Sequence, residues 1–170
     1  TDPANWSPRR DLPHTMDTLV FDNGGSVTIE NMASQTIGTL HISNKSQVKL
    51  TSTGTPTISL QQMLLIDQDA SLSLEKSRIT LTYPTSGAQR TSTINGTLTL
   101  SGRSIYNNRN TATTFNGQVI MKDSAVFIAA SGTALFNGPL TLQDSAIYIA
   151  DNGPTTLNSS LNLYDKSYFN

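Results

Sequence analysis

Asp123, Asp144 and Asp165 recur in equal steps, their positions differing by 21 each time. Stacked in a repeating structure, they would make a column of carboxylates about 5 Å apart. Such a column offers the oxygen donors that Ca²⁺ gathers in sets of about six to eight. Each aspartate also lies in a turn-like tripeptide, Lys122-Asp123-Ser124, Gln143-Asp144-Ser145 and Tyr164-Asp165-Lys166. There an Asp side chain caps backbone amides, and Lys122 and Lys166 stand ready to offset the repulsion. Turn capping is the expected role, so no metal site is assigned. Asp67-Gln68-Asp69 is a second carboxylate pair and reads as a solvated turn.

Acid–base chemistry on a sugar would need two carboxyl groups on neighbouring coils, roughly 5 to 10 Å apart. Arg90, Arg103, Arg109 and Asp123 are the charged residues nearest to such a pattern, and they share no motif. His14 and His41 lie towards the N-terminus. His41 occupies the polar slot of Leu40-His41-Ile42 and reads as a surface strand residue. There is no cysteine, which excludes thiol catalysis and thiolate metal sites, and no Gly-x-Ser-x-Gly or phosphate loop occurs. No catalytic residue and no cofactor are assigned.

These residues are placed by a repeat. Ile94-Asn95-Gly96 recurs as Phe115-Asn116-Gly117, Phe136-Asn137-Gly138 and Leu157-Asn158-Ser159, again in steps of 21 with no insertion. Leu98-x-Leu100, Val119-x-Met121, Leu140-x-Leu142 and Leu161-x-Leu163 follow in phase. A period of this size is the signature of a solenoid. No segment carries helical periodicity. The expectation is an all-β, right-handed single-stranded parallel β-helix, a three-sheet solenoid with coils of about 21 residues. Residues 1–35 read as an N-terminal entry or capping segment with the first strands, and 36–170 as coils with a loop near 83–92. Coil boundaries between 57 and 93 stay open, because Leu40 and Leu64 are 24 apart. Asn95, Asn116, Asn137 and Asn158 are expected to stack at one turn as a hydrogen-bonded structural ladder, with Asn116 and Asn137 buried.

Bulk properties agree. Thr, Ser and Asn supply 58 of the 170 residues, a composition suited to pleated strands and the turns between them. With 11 basic and 12 acidic residues, nucleic acid is not an expected partner. No run reaches the roughly 18 apolar residues of a membrane helix, so membrane insertion is not expected either.

Ala4-Asn5-Trp6-Ser7-Pro8, then Pro13, then Asp17-Thr18-Leu19-Val20-Phe21-Asp22, followed by Ile37-Gly38-x-Leu40-x-Ile42, resembles the start of bacterial secreted β-solenoid regions. These belong to autotransporter-passenger-like proteins and large surface adhesins, including those of Bacteroidetes. The resemblance covers about the first 45 residues by motif and the remainder by solenoid pattern. It implies a secreted or cell-surface location and a non-enzymatic structural or adhesive role, in a surface or extracellular filament protein. Asp17-Thr18-Leu19, Asp123-Ser124-Ala125 and Asp144-Ser145-Ala146 resemble O-glycan acceptor patterns of such exported proteins, which makes Thr18, Ser124 and Ser145 candidate O-glycosylation sites. The rival expectation is a carbohydrate-active β-helix, a polysaccharide lyase or glycan-binding module. Ice binding is disfavoured, since Thr99, Ile120, Thr141 and Asn162 share the slot where a threonine column is needed. The chain stops at Tyr168-Phe169-Asn170, part-way through a repeat. The expected partners are therefore copies stacked end to end or adjoining domains of a longer chain, together with surface glycans.

Overall fold

A computed structural model describes residue 12, residues 14–82 and residues 91–170. There the chain is all-β, a solenoid of about seven stacked coils. The first coil holds β1 (Thr18–Phe21), β2 (Ser26–Glu30) and the start of β3 (Gln35–Ile42), which bends round a corner to open the second. β4 (Gln47–Thr51) and the start of β5 (Thr57–Ile66) complete the second coil, and β5 bends likewise into the third. β6 (Ser71–Glu75) and β7 (Arg78–Leu81) close that one.

Four coils of separate strands follow. The fourth is β8 (Thr91–Ile94), β9 (Thr97–Ser101) and β10 (Ile105–Asn107). The fifth is β11 (Ala112–Phe115), β12 (Val119–Met121) and β13 (Val126–Ile128). The sixth is β14 (Thr133–Phe136), β15 (Leu140–Leu142) and β16 (Ile147–Ile149). The seventh is β17 (Thr155–Leu157), β18 (Leu161–Leu163) and β19 (Tyr168–Phe169).

Every strand pairs in parallel with its equivalent in the next coil, which gives three faces. β2, β4, β6, β9, β12, β15 and β18 form one seven-stranded sheet. The other two faces belong to a single twelve-stranded sheet, because β3 and β5 run unbroken round the corner between them. β1 and β2 already stack on β3 and β4 at an offset of 21, as in Thr18↔Thr39 and Ser26↔Gln47.

The looser register of the middle coils has a local cause. Ser26↔Gln47 is a step of 21, but Gln35↔Ile58 is 23 and Thr39↔Met63 is 24. The extra residues lie in the 52–56 loop and at the corner of β5. Ile66↔Ile94 is 28 apart, since residues 83–90 fall inside that coil. That segment, most of the expected 83–92 loop, lies outside the described residues, whereas Thr91 and Ser92 are already in β8. The Asn95-Gly96 turn then replaces the longer Asp67–Ala70 turn, and from β8 onward every offset is 21.

Alternation of side chains sends one residue in two inward. Val48, Leu72, Leu98, Val119 and Leu140 make one buried column, and Leu50, Leu74, Leu100, Met121 and Leu142 the next. The opposite wall becomes aromatic in the later coils. Tyr106, Phe127, Tyr148 and Phe169 stack with centroids 4.8, 4.8 and 4.5 Å apart, and Phe115 stacks on Phe136 at 4.5 Å. These spacings match the inter-strand repeat, so each ring sits on its copy at the offset-stacking distance.

Candidate functional site: the corners and their ladders

One corner carries the asparagines. Asn116 Nδ2 donates to Asn95 Oδ1 at 2.8 Å, Asn137 to Asn116 at 2.8 Å, and Asn158 to Asn137 at 2.9 Å. The four side chains are exposed, which corrects the expectation of a buried ladder. What packs tightly at this corner is the neighbouring glycine: a Cβ on Gly96, Gly117 or Gly138 would collide with backbone carbonyls of the preceding coil. Asn-Gly therefore divides the work, with the amide outside bridging coils and the bare backbone letting them approach.

The ladder does not continue through the earlier coils. Asp67 takes the equivalent position, its N–H donating to Ile42 O as that of Asn95 donates to Ile66 O. The Asp67 carboxylate lies 3.1 Å from His41 Nε2. This pairing joins residues 26 apart across two coils, and the local text around His41 does not signal it. His14 is exposed, holding a local turn in which its N–H donates to Asp17 Oδ2 at 2.8 Å.

The next corner carries the aspartates. Asp123, Asp144 and Asp165 have φ of 59°, 57° and 57°, a left-handed conformation that Asp tolerates better than most residues. Each carboxylate accepts a backbone N–H of the preceding coil: Gly102 N–H to Asp123 Oδ2 at 2.8 Å, Asp123 to Asp144 at 3.0 Å, and Asp144 to Asp165 at 3.3 Å. The repulsion is offset by these amides. Among the described residues no ion pair joins Lys122 or Lys166 to the aspartates, so the two lysines offset the repulsion only as neighbouring charges. Among the described residues, no group of three or more His, Cys, Asp or Glu side chains could hold a metal ion.

Geometry also explains the Asp-Ser-Ala wording of this corner. The left-handed residue is Asp, and Ser124 and Ser145 point outward and are exposed. Ala125 and Ala146 are fully buried where the chain turns inward. Thr18, at the start of β1, is exposed as well. Among the arginines, Arg103 and Arg109 are exposed at different corners, and Arg90 lies outside the described residues.

The third corner went unread in the sequence. Thr111, Gly132 and Gly153 are 21 apart, and a Cβ on either glycine would meet carbonyls of the coil before. The same spacing test that found the asparagines would have found them. Beside them a buried polar cluster sits within the core. Asn108 Oδ1 accepts from the hydroxyls of Thr111 and Thr113, the latter at 2.9 Å, and Asn108 Nδ2 donates to Thr133 O at 2.9 Å. Tyr106 Oη lies 3.4 Å from Thr113 Oγ1, and Tyr148 Oη 2.6 Å from Thr155 Oγ1. Burial pushes the Tyr148 phenol up to about 12, with the Thr155 hydrogen bond opposing the shift, and raises that of Tyr106 well above its ordinary value.

On the seven-stranded face Glu75 meets Lys49 Nζ at 2.7 Å, and that hydrogen bond holds its carboxyl below the usual range. No family model matches this chain, and no curated protein or solved structure does so either.

Proposed function

We propose that this chain is a non-enzymatic rod segment, a structural or adhesive module of a bacterial cell-surface or extracellular filament protein. Its partners in this reading are further copies stacked end to end or adjoining domains of a longer chain, with surface glycans as the target of adhesion. The observation that carries the reading is the use to which the polar repeats are put. The Asn and Asp columns bond coil to coil at a fixed offset of 21, so the repeated chemistry is consumed in stiffening the stack. In a repeat protein each unit contacts only its neighbours, so length and regular display are what the architecture offers. Thr18, Ser124 and Ser145, exposed at the surface, are proposed acceptors of O-linked glycans in the exported protein.

Two measurements test this. Protease shaving of intact cells making the protein should release its peptides, with Ser124- and Ser145-containing peptides heavier by a glycan mass. Retention of the protein inside the cells would overturn the surface assignment. Incubation of the purified chain with acidic polysaccharides should leave their chain length unchanged. Shortened products would overturn the non-enzymatic reading in favour of a lyase or hydrolase.

A further inference from the structure

Charge is balanced over the chain but not along it. Residues 76–122 contain Lys76, Arg78, Arg90, Arg103, Arg109 and Lys122, and not one Asp or Glu. Two of these, Lys76 and Arg103, lie together at the corner where the seven-stranded face turns towards β7 and β10. The 52–56 loop, which lengthens the second coil, stands over that corner. With the two coils beyond it the loop forms an open hollow lined by Thr53, Gly54, Thr55, Lys76 and Arg103.

Among the described residues the cations of the hollow form no ion pair, and the carboxylates beside them, Glu75 and Asp123, are bonded elsewhere, to Lys49 Nζ and to Gly102 N–H. Lys76 and Arg103 are exposed, and neither side chain makes an ion pair or hydrogen bond among the described residues. Glu75, next to Lys76, is engaged by Lys49 on the sheet face. Arg78 lies two residues beyond Lys76, in register with Thr57 and Ile105, and its Nε is buried without an acceptor. The loop itself is held in place. Thr53 donates through N–H and hydroxyl to Asn31 Oδ1 at 3.1 and 3.3 Å, and Gly54 N–H donates to Ser52 Oγ at 3.2 Å.

We propose that this hollow binds an acidic polysaccharide, with carboxylate or sulfate groups held by Lys76 and Arg103 and sugar hydroxyls by Thr53 and Thr55. Two neighbouring cations repel one another unless an anion sits between them, and a guanidinium fork matches a planar carboxylate. Lys122 follows at the same corner one coil on, so a polymer laid across the stack meets a cation on each of three successive coils. The site ends at Asp123, whose carboxylate is already bonded to Gly102 N–H. The open shape admits a chain passing through. Among the described residues no aromatic ring lines the hollow to stack a base, which favours a polysaccharide over single-stranded nucleic acid. This inference rests on the adhesive half of the function proposed above and gives it a ligand class.

Calorimetric titration of the whole chain at low salt tests the site with four probes: a short oligogalacturonate, a maltodextrin of equal length, inorganic sulfate and a short DNA duplex. Oligogalacturonate should bind, and added salt should weaken it. Lys76→Asn combined with Arg103→Gln should cut that affinity about tenfold or more, while Lys166→Gln on the last coil leaves it unchanged. Asn is chosen because position 76 has φ 53°. Should the double variant misfold, Arg103→Gln alone and Thr55→Val read the same site. No binding of oligogalacturonate, equal binding of maltodextrin, or full affinity in the variants would overturn the proposal. So would tighter binding of the duplex, or sulfate alone binding as well as the oligosaccharide. Cell-surface exposure is scored separately, so a chain that binds but stays inside cells would sink the surface reading and leave this site standing.

Discussion

At the scale of single residues, the closest constraint is the one imposed on glycine. Gly117 lies so near the carbonyls of Asn95 and Gly96 that a methyl group there overlaps backbone oxygen, which cannot swing aside as a side chain can. Gly117→Ala should cost at least about 3 kcal/mol, the upper end for overpacking. Gly54→Ala, where an added Cβ meets nothing within 4 Å, should stay within about 0.5 kcal/mol. Equal urea midpoints for the two variants would contradict the packing of the corner. The last repeat carries Ser159 where the others carry glycine. Gly96, Gly117 and Gly138 N–H each reach the carbonyl that also takes the asparagine N–H, whereas at the last coil only Asn158 N–H bonds to Phe136 O. The asparagine amides are worth less than buried ones. Because they are exposed, truncation strands no buried group, and only the net value of each bond is lost, about 0.5 to 1.5 kcal/mol. Asn137 makes two ladder bonds and Asn158 one. Asn137→Ala should therefore cost about twice what Asn158→Ala does in thermal or urea unfolding, and a reversed order would mean the ladder contributes nothing.

At the scale of strands, the inward columns were open to reading because alternation and a strict period of 21 both mark them. Leu140 and Leu142 are fully buried as expected, and Thr141 between them points outward under its neighbours, its hydroxyl accepting from Asn162 Nδ2 at 3.4 Å. Leu142→Ala should cost about 2 to 5 kcal/mol through the cavity it leaves, and Thr141→Ala about 1 kcal/mol or less. The second and third coils were harder, because loop length there changes the step to 23, 24 and 28 while the inward residues stay the same kind. Period alone fails once insertions enter. The polar core was invisible for a different reason. Ser92, Thr113 and Thr155 follow Leu19, Leu40 and Leu64 in one inward column, and a hydroxyl residue in a strand reads as outward-facing. For Thr113 and Thr155 the partners are the phenols of Tyr106 and Tyr148, which arrive from across the core. Those phenols carry a pH signature. Both are raised by burial, Tyr148 to about 12, so the folded state holds its phenolic protons above the pH near 10 at which unfolded tyrosines lose theirs. Their contribution to stability is complete below about pH 10 and falls as pH rises through the folded values. The urea midpoint should drop between about pH 9 and about pH 11.5, and by less in a Tyr106→Phe, Tyr148→Phe double variant. An identical drop in wild type and variant would mean that these phenols are not buried.

For the molecule as a whole, the consequence of seven coils held by neighbour contacts is that one coil can be removed. Deleting 116–136 joins Phe115 to Asn137 and takes out one whole repeat, the offset of every pairing from β8 onward. After the deletion Asn137 faces Asn95, Asp144 faces Gly102, and Phe127 leaves the aromatic stack with Tyr148 meeting Tyr106, so each ladder closes on an equivalent partner. The shortened chain should fold and unfold cooperatively. Its denaturant slope should fall roughly in proportion to the surface lost, its stability should drop by about one coil's share, and the rod should be shorter by about 4.8 Å. Deleting 116–135 instead leaves a single residue too many at the join, and that slip sends the inward columns outward on one side of the junction. This variant should lose far more stability than the whole-repeat deletion, although it removes less of the chain. An enzyme whose site spans particular coils could not tolerate loss of the whole repeat without losing its activity, whereas a rod that serves by length and repetition should keep its character one coil shorter. If the whole-repeat deletion unfolds the chain while the out-of-register one does not, register is not what holds the stack together, and the reading of this chain as a repetitive rod falls with it.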